Sequence, residues 1–189
     1  MPAAVEIEIK LPVSNLRDLL ARLVACGATL VRDRIFEDNF ILDYPDGRLK
    51  ASQRMLRLRQ SGTRHLLTFK ERLDGDQGDY KVRREVETEI SCGRAALEIF
   101  QRLGLRTAYH YQKYRRTFQA GPLSVTIDEL PIGTYMELEG PPDAIDRLAG
   151  RLGFLRSDYI NQTYRDLHVR ILKDQGEESH PVEMIFPPG

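Results

Sequence analysis

The sequence carries no net charge, since its 28 Lys+Arg are matched by 28 Asp+Glu. Such a balance excludes the broad basic surface of a nucleic-acid or anionic-membrane binder, and leaves only the local segregation of charge to matter. No apolar run reaches membrane-spanning length, and the start, Met1-Pro2-Ala3-Ala4, lacks the apolar core of a signal peptide, so a cytoplasmic location is expected. The two cysteines, Cys26 and Cys92, form no CxxC and have no histidines at zinc spacing, which leaves them as structural or incidental thiols. His65, His110, His168 and His180 share no spacing that suggests a metal site or a triad. No Ser or Cys has an evident base partner, so nucleophilic catalysis of the Ser–His or Cys–His kind is not indicated.

What the sequence has instead is alternation. In Val5-Glu6-Ile7-Glu8-Ile9-Lys10-Leu11 charged and apolar residues alternate without a break, which in a strand puts Glu6, Glu8 and Lys10 on one face and the aliphatic residues on the other. A helix is expected behind an N-cap at Ser14, with Leu16, Leu19, Leu20, Leu23 and Val24 at helical spacing and Gly27 as the stop. Extended runs follow at 29–32, 35–43, 55–60, 65–71 and 81–91, separated by turns at 44–47 and 61–63. The segment 74–79 has no apolar residue and reads as a loop. A second helix is expected at 93–103, strands at 109–120, 123–129 and 134–139, and a third helix after Pro141-Pro142-Asp143 that ends at Gly153. A fourth helix is expected at 161–172. The chain divides into one domain, residues 1–172, and a polar, Pro-rich tail, 173–189, within which 182–186 could dock.

The same parity recurs down the chain. Arg57 and Arg59 oppose Leu56 and Leu58; Lys70 shares a face with Thr68; Arg83, Glu85, Glu87 and Glu89 share another. Lys113 and Arg115 oppose Tyr114 and Phe118, Asp128 opposes Val125 and Ile127, and Glu137 and Glu139 oppose Met136 and Leu138. Four amphipathic helices need apolar surface to cover, and the apolar strand faces supply it. The charged faces are then left to line an interior, where opposite signs must meet each other or meet ions. Carboxylates suit a hard divalent cation, and guanidinium and ammonium groups suit phosphate oxygens, so a metal-bound polyphosphate would satisfy both.

Taken in order, Glu6-x-Glu8-x-Lys10, Leu56-Arg57-Leu58-Arg59, Thr68-Phe69-Lys70, Arg83-x-Glu85-x-Glu87, Lys113-x-Arg115, Asp128 and Glu137-x-Glu139 resemble the CYTH superfamily, or triphosphate tunnel metalloenzymes, from Glu6 to about Tyr164. That family includes class IV adenylate cyclases, thiamine triphosphatases and inorganic triphosphatases. The resemblance implies an α+β fold, an eight-stranded antiparallel closed β tunnel with a charged interior and helices packed outside. It implies Mg²⁺ or Mn²⁺ held by Glu6, Glu8, Glu137 and Glu139, helped by Asp128 and by Glu85 or Glu87. Lys10, Arg57, Arg59, Lys70, Arg83, Lys113 and Arg115 would bind the triphosphate, with Arg84 as an alternative to Arg83 if the strand is bulged. Lys113, as proton donor to the leaving group, and Glu8 would carry the chemistry. The expected activity is hydrolysis of the terminal phosphate of inorganic, nucleoside or thiamine triphosphate. Cyclisation of ATP to cyclic AMP and pyrophosphate needs the same residues and stays open, and a polyphosphate-binding module without turnover is the alternative of another class. The expected partner is a triphosphate-bearing small molecule, with no nucleic acid and no membrane; the oligomeric state is open, a homodimer included.

Overall fold

The alternation of β1 (Ala4–Val13) sends Ile9 and Leu11 into a fully buried apolar cluster and Glu8 and Lys10 to the opposite face. In the computed structural model, which describes residues 4–73, 78–177 and 181–187, the strand is followed by α1 (Leu16–Ala25). The remaining elements are β2 (Thr29–Asp43), α2 (Arg48–Ala51), β3 (Arg54–Ser61), β4 (Arg64–Arg72), β5 (Lys81–Ile90), α3 (Gly93–Arg102), β6 (Arg106–Ala120), β7 (Leu123–Leu130), β8 (Gly133–Glu139), α4 (Pro142–Arg151), α5 (Tyr164–Asp174) and β9 (Glu183–Met184). Strands β1 to β8 form one antiparallel sheet in the order β2-β3-β4-β5-β1-β8-β7-β6. Pairing of β6 back onto β2 closes it, giving the expected eight-stranded barrel.

Closure fixes which face is which. Leu19 and Leu23 of α1, and Ile145, Leu148 and Ala149 of α4, pack on Ile9, Leu11, Val125, Ile127, Met136 and Leu138 outside the barrel. Alternate residues therefore turn inward, and those are the charged ones. Truncating a fully buried member such as Leu138 to Ala would cost ~2–5 kcal/mol, so the outer layer holds the barrel in register.

One side of the barrel is not closed by the ladder of eight. β7 pairs with β6 only from Tyr114 onward, so the edge at His110 and Tyr111 is taken by β9, which runs parallel to it. The His110 N–H donates to the Val182 carbonyl at 2.8 Å, and Met184 is buried among Tyr109, Tyr111, Leu130, Tyr135, Tyr164 and Leu167. Likewise β1 leaves β5 after Glu8, and Lys10 instead exchanges two backbone hydrogen bonds with Ile160, at 3.0 and 2.9 Å. α5 begins just beyond, and its Tyr164 and Leu167 share a buried cluster with Tyr109, Tyr111 and Met184, against which Ile160 packs.

Several expectations are corrected. The runs at 29–32 and 35–43 are one strand, its register slipping between Leu30, Arg32 and Ile35 against β6. Asn15, not Ser14, caps α1 by accepting from the Asp18 N–H at 3.1 Å. The turn at 44–47 leads into the unexpected α2, whose Leu49 and Lys50 N–H groups donate to the Asp43 carboxylate at 2.9 and 3.0 Å. The helix expected from 161 starts at Tyr164, where Thr163 and Asp166 form a reciprocal capping box, with a 3₁₀ turn at Arg156–Asp158 before it. Of the polar loop expected at 74–79, residues 74–77 lie outside the described residues, as do residues 1–3 of the start and 178–180 and 188–189 of the tail.

Candidate active site

The bore of the barrel encloses a cavity of about 1060 Å³. Lining it are Glu6, Glu8 and Lys10 of β1, Arg57 and Arg59 of β3, Lys70 of β4, Arg83, Glu85 and Glu87 of β5, Lys113 and Arg115 of β6, and Glu137 and Glu139 of β8. Thus every residue named from the sequence for metal or triphosphate lines one cavity, except Asp128. Arg83 is opposite Glu6 in a regular register, and Arg84 points away to bond Glu71 at 3.2 Å, so no bulge exchanges the two. Glu89, at the open end of the same face, is exposed and bonded to Arg64, and Arg116 and Glu129 bond each other on the outer surface.

Charge is segregated along the bore. In the acidic part, the Lys70 ammonium is 2.7 Å from Glu6 Oε1 and 2.5 Å from Glu85 Oε2. Glu8 accepts from Lys10 at 3.0 Å and from Lys81, and Lys10 also lies 3.2 Å from Glu137. Burial would raise the Glu8 carboxyl, but Lys10 and Lys81 outweigh it and hold Glu8 well below the usual carboxylate range. Glu6 goes the other way, raised by burial and by Glu8 and Glu85 against the pull of Lys70. At the rim, Glu139 is pushed up to about 7 by loss of water around its carboxyl and by Glu6, Glu8 and Glu85. Burial, Lys10 and Arg83 together lower Lys81 to about 8.

In the basic part, Arg57 and Arg59 stand side by side on β3, each 8% exposed. Arg59 Nε donates to Asn39 at 3.1 Å and its guanidinium is 3.5 Å from Glu37; Arg57 donates to Thr68 at 3.3 Å and its Nε has no acceptor among the described residues. Burial and the neighbouring Arg57 lower Arg59 below the usual arginine range. The Tyr111 phenol is lowered too, because Arg57, Lys113 and Arg59 outweigh its burial. Between the two parts lies Asp128, fully buried, its Oδ1 accepting from Arg115 Nε at 2.6 Å and its Oδ2 from Lys113 at 2.9 Å and Tyr164 at 2.8 Å. Arg115 reaches on to Glu137 at 2.5 Å. Asp128, expected among the metal-holding carboxylates, sits behind the cavity wall with both oxygens occupied, where it anchors cations.

Four inward groups escaped sequence reading. Glu37 and Asn39 belong to Glu37-Asp38-Asn39, where polar residues fall on both faces and parity gives no answer. Lys81 shares the parity of Arg83 and Glu85 and was open to the same argument. Tyr164 comes from a helix, beyond the reach of strand parity.

The carboxylates fit a hard divalent cation by chemistry: Glu6, Glu8, Glu85 and Glu139 crowd one region, and Glu6 and Glu139 are raised by burial and by the others. Among the described residues no three acidic, His or Cys side chains converge on a single point as they stand, and Lys70 and Lys81 supply the positive charge there.

Comparisons with known proteins follow the same lines. The CYTH domain matches residues 4–152. A protein from Vibrio parahaemolyticus described as a candidate adenylate cyclase is 20% identical, with a TM-score of 0.73 over 86% of this chain and 97% of that one. A conserved hypothetical protein from Pyrococcus furiosus is 25% identical, with a TM-score of 0.70 over 84% and 97%. A candidate adenylyl cyclase from Hippeastrum, HpAC1, described as having a dominant triphosphatase activity, is 17% identical, with a TM-score of 0.61 over 92% and 97%. No curated protein matches the sequence significantly.

Proposed function

The chain belongs to the CYTH domain family, and from that premise we propose that it is an enzyme of phosphoryl transfer that uses Mg²⁺ or Mn²⁺ and hydrolyses the terminal phosphate of a triphosphate. Members of the family act on triphosphates and are in general metal-dependent. The observation that carries the reading is that both parts of the bore are electrostatically incomplete. Arg59 is lowered by burial and by Arg57 beside it, the Arg57 Nε is buried with no hydrogen-bond partner among the described residues, and Glu139 and Glu6 are raised by burial and by neighbouring carboxylates. A divalent cation with a triphosphate relieves both at once, and neither alone does so.

The chain's own residues then divide the work. Arg57 and Arg59 offer planar donors to one end of the phosphate chain, and Lys113 and Arg115, held by Asp128, offer charge to its middle. Glu6, Glu8, Glu85 and Glu139 would hold the cation, which when bound supplies further positive charge opposite the phosphate oxygens. Lys113, 1% exposed yet lining the cavity, would give a proton to the departing oxygen. Catalysis of this kind is chiefly positioning and charge stabilisation, which suits a rigid barrel. No helix among the described residues is long and apolar enough to cross a membrane.

Incubation with tripolyphosphate, ATP and thiamine triphosphate, each with Mg²⁺ or Mn²⁺, followed by product identification, tests the reading. Release of orthophosphate with a diphosphate product supports it. Cyclic AMP and pyrophosphate from ATP would replace hydrolysis with cyclisation, and no product from any of the three would remove the enzyme reading.

A further inference from the structure

Tyr164 lies on α5, beyond the matched residues 4–152, yet its side chain reaches Asp128 of β7 and lines the cavity. It is 7% exposed, its hydroxyl donates to Asp128 Oδ2 at 2.8 Å, and its ring lies under the ammonium groups of Lys10, at 5.3 Å from the centroid, and Lys113, at 5.6 Å. Three features fix it there. The Thr163–Asp166 capping box starts the helix, the Ile160–Lys10 bridge ties the preceding segment to β1, and Leu167 is fully buried in the next turn.

The reason such a donor is needed lies in Asp128. This fully buried carboxylate is satisfied by Lys113, Arg115 and Tyr164 together. Lys113 and Arg115 also line the cavity, so a triphosphate draws on the same two cations. As they share themselves with phosphate oxygens, a buried carboxylate loses compensation, and an under-compensated buried charge is costly. Tyr164 lines the cavity too, but among the described residues it is the one side-chain donor on Asp128 that carries no charge to give to phosphate.

We infer that Tyr164 is a positioning residue for the triphosphate site, its hydroxyl holding Asp128 so that Lys113 and Arg115 are released to the substrate. The inference rests on the reading of the bore as a triphosphate site. It follows that the family-matched segment alone does not make a complete site, because a helix outside it supplies this contact.

The test is Tyr164→Phe in the full chain, which keeps the ring beneath the two ammonium groups and removes only the hydroxyl. KM for tripolyphosphate should rise about tenfold with kcat nearly unchanged, since the lost contact affects ground state and transition state alike. Tyr135→Phe is the control, because Tyr135 packs against Tyr164 at 5.7 Å between ring centroids and does not line the cavity; it should leave KM at the wild-type value. Melting temperature is measured for both; Tyr164→Phe should melt somewhat lower, since Asp128 loses a donor in the free protein as well, and the inference requires the KM rise in protein that is still folded at the assay temperature. Wild-type KM in Tyr164→Phe, or an equal rise in both variants, overturns it while leaving the triphosphate site standing. A wild-type protein that neither binds nor hydrolyses tripolyphosphate overturns the site and the inference with it.

Discussion

Lys70 holds Glu6, its ammonium 2.7 and 2.5 Å from the two carboxylate oxygens, while also touching Glu85 at 2.5 Å. These two carboxylates come from neighbouring strands and would repel each other without it. On the proposed reading Lys70 supplies positive charge to the carboxylates that would hold a divalent cation, and the two would compete. Lys70→Gln is expected to tighten Mn²⁺ binding in the absence of triphosphate by several fold, read by calorimetry. The same variant should lose about tenfold or more in kcat/KM, because a cation proposed to bind phosphate is gone. Weaker Mn²⁺ binding in the variant would contradict this competition.

Arg59 is predicted to trade stability for activity. Its guanidinium is buried beside Arg57 and lowered by both burial and that neighbour. Replacing it with Met removes a crowded charge, while Glu37 keeps Lys113 at 3.6 Å and the Ser61 hydroxyl at 3.3 Å. Turnover should fall by about a hundredfold or more with a melting temperature no lower than wild type. Glu8→Gln, at the other pole, should lose as much turnover with circular dichroism unchanged. Near-normal rates in both variants would remove the proposed site.

Much of this arrangement could be read from the chain before folding was known. β1 and β8 alternate strictly, so Glu6, Glu8, Lys10, Glu137 and Glu139 declared their common face, and the buried Ile9, Leu11, Met136 and Leu138 theirs. Arg83 versus Arg84 was not decidable locally, since adjacent arginines satisfy either parity; pairing with Glu6 decided it. Tyr111 shares the inward parity of Lys113, and the closed barrel brings its phenol to Arg57 and Arg59 of β3. β9 is two residues long, too short for any periodicity, and exists because β6 outruns β7 and leaves an edge to be paired.

That short strand carries a prediction on stability. Met184 is 3% exposed, packed among the tyrosines behind β6. Met184→Ala should cost ~2–4 kcal/mol in chemical denaturation. A loss near zero would mean that the tail does not seal the barrel.

Glu37 makes stability depend on acid pH. Burial favours its neutral form, but Lys113, Arg59 and Arg115 prevail and hold it at about 2, against an ordinary value of 4.5. A carboxyl lowered on folding stabilises the protein above its unfolded value and loses that contribution as pH falls. The window is therefore pH 4.5 down to about 2. Urea midpoints measured at pH 6 and pH 3 should fall further for wild type than for Glu37→Gln, the variant being the less stable of the two at pH 6. Parallel declines would remove Glu37 from the acid limb.

The central claim, that the bore takes a metal and a triphosphate as one unit, is tested most directly by titrating tripolyphosphate into the protein with Mn²⁺ and again with EDTA, under single-turnover-free conditions at low temperature. Because the acidic and basic parts are each incomplete, the account predicts that Mn²⁺ tightens tripolyphosphate binding by about tenfold or more. Equal affinity in EDTA would contradict it, and would make the barrel a passive anion binder.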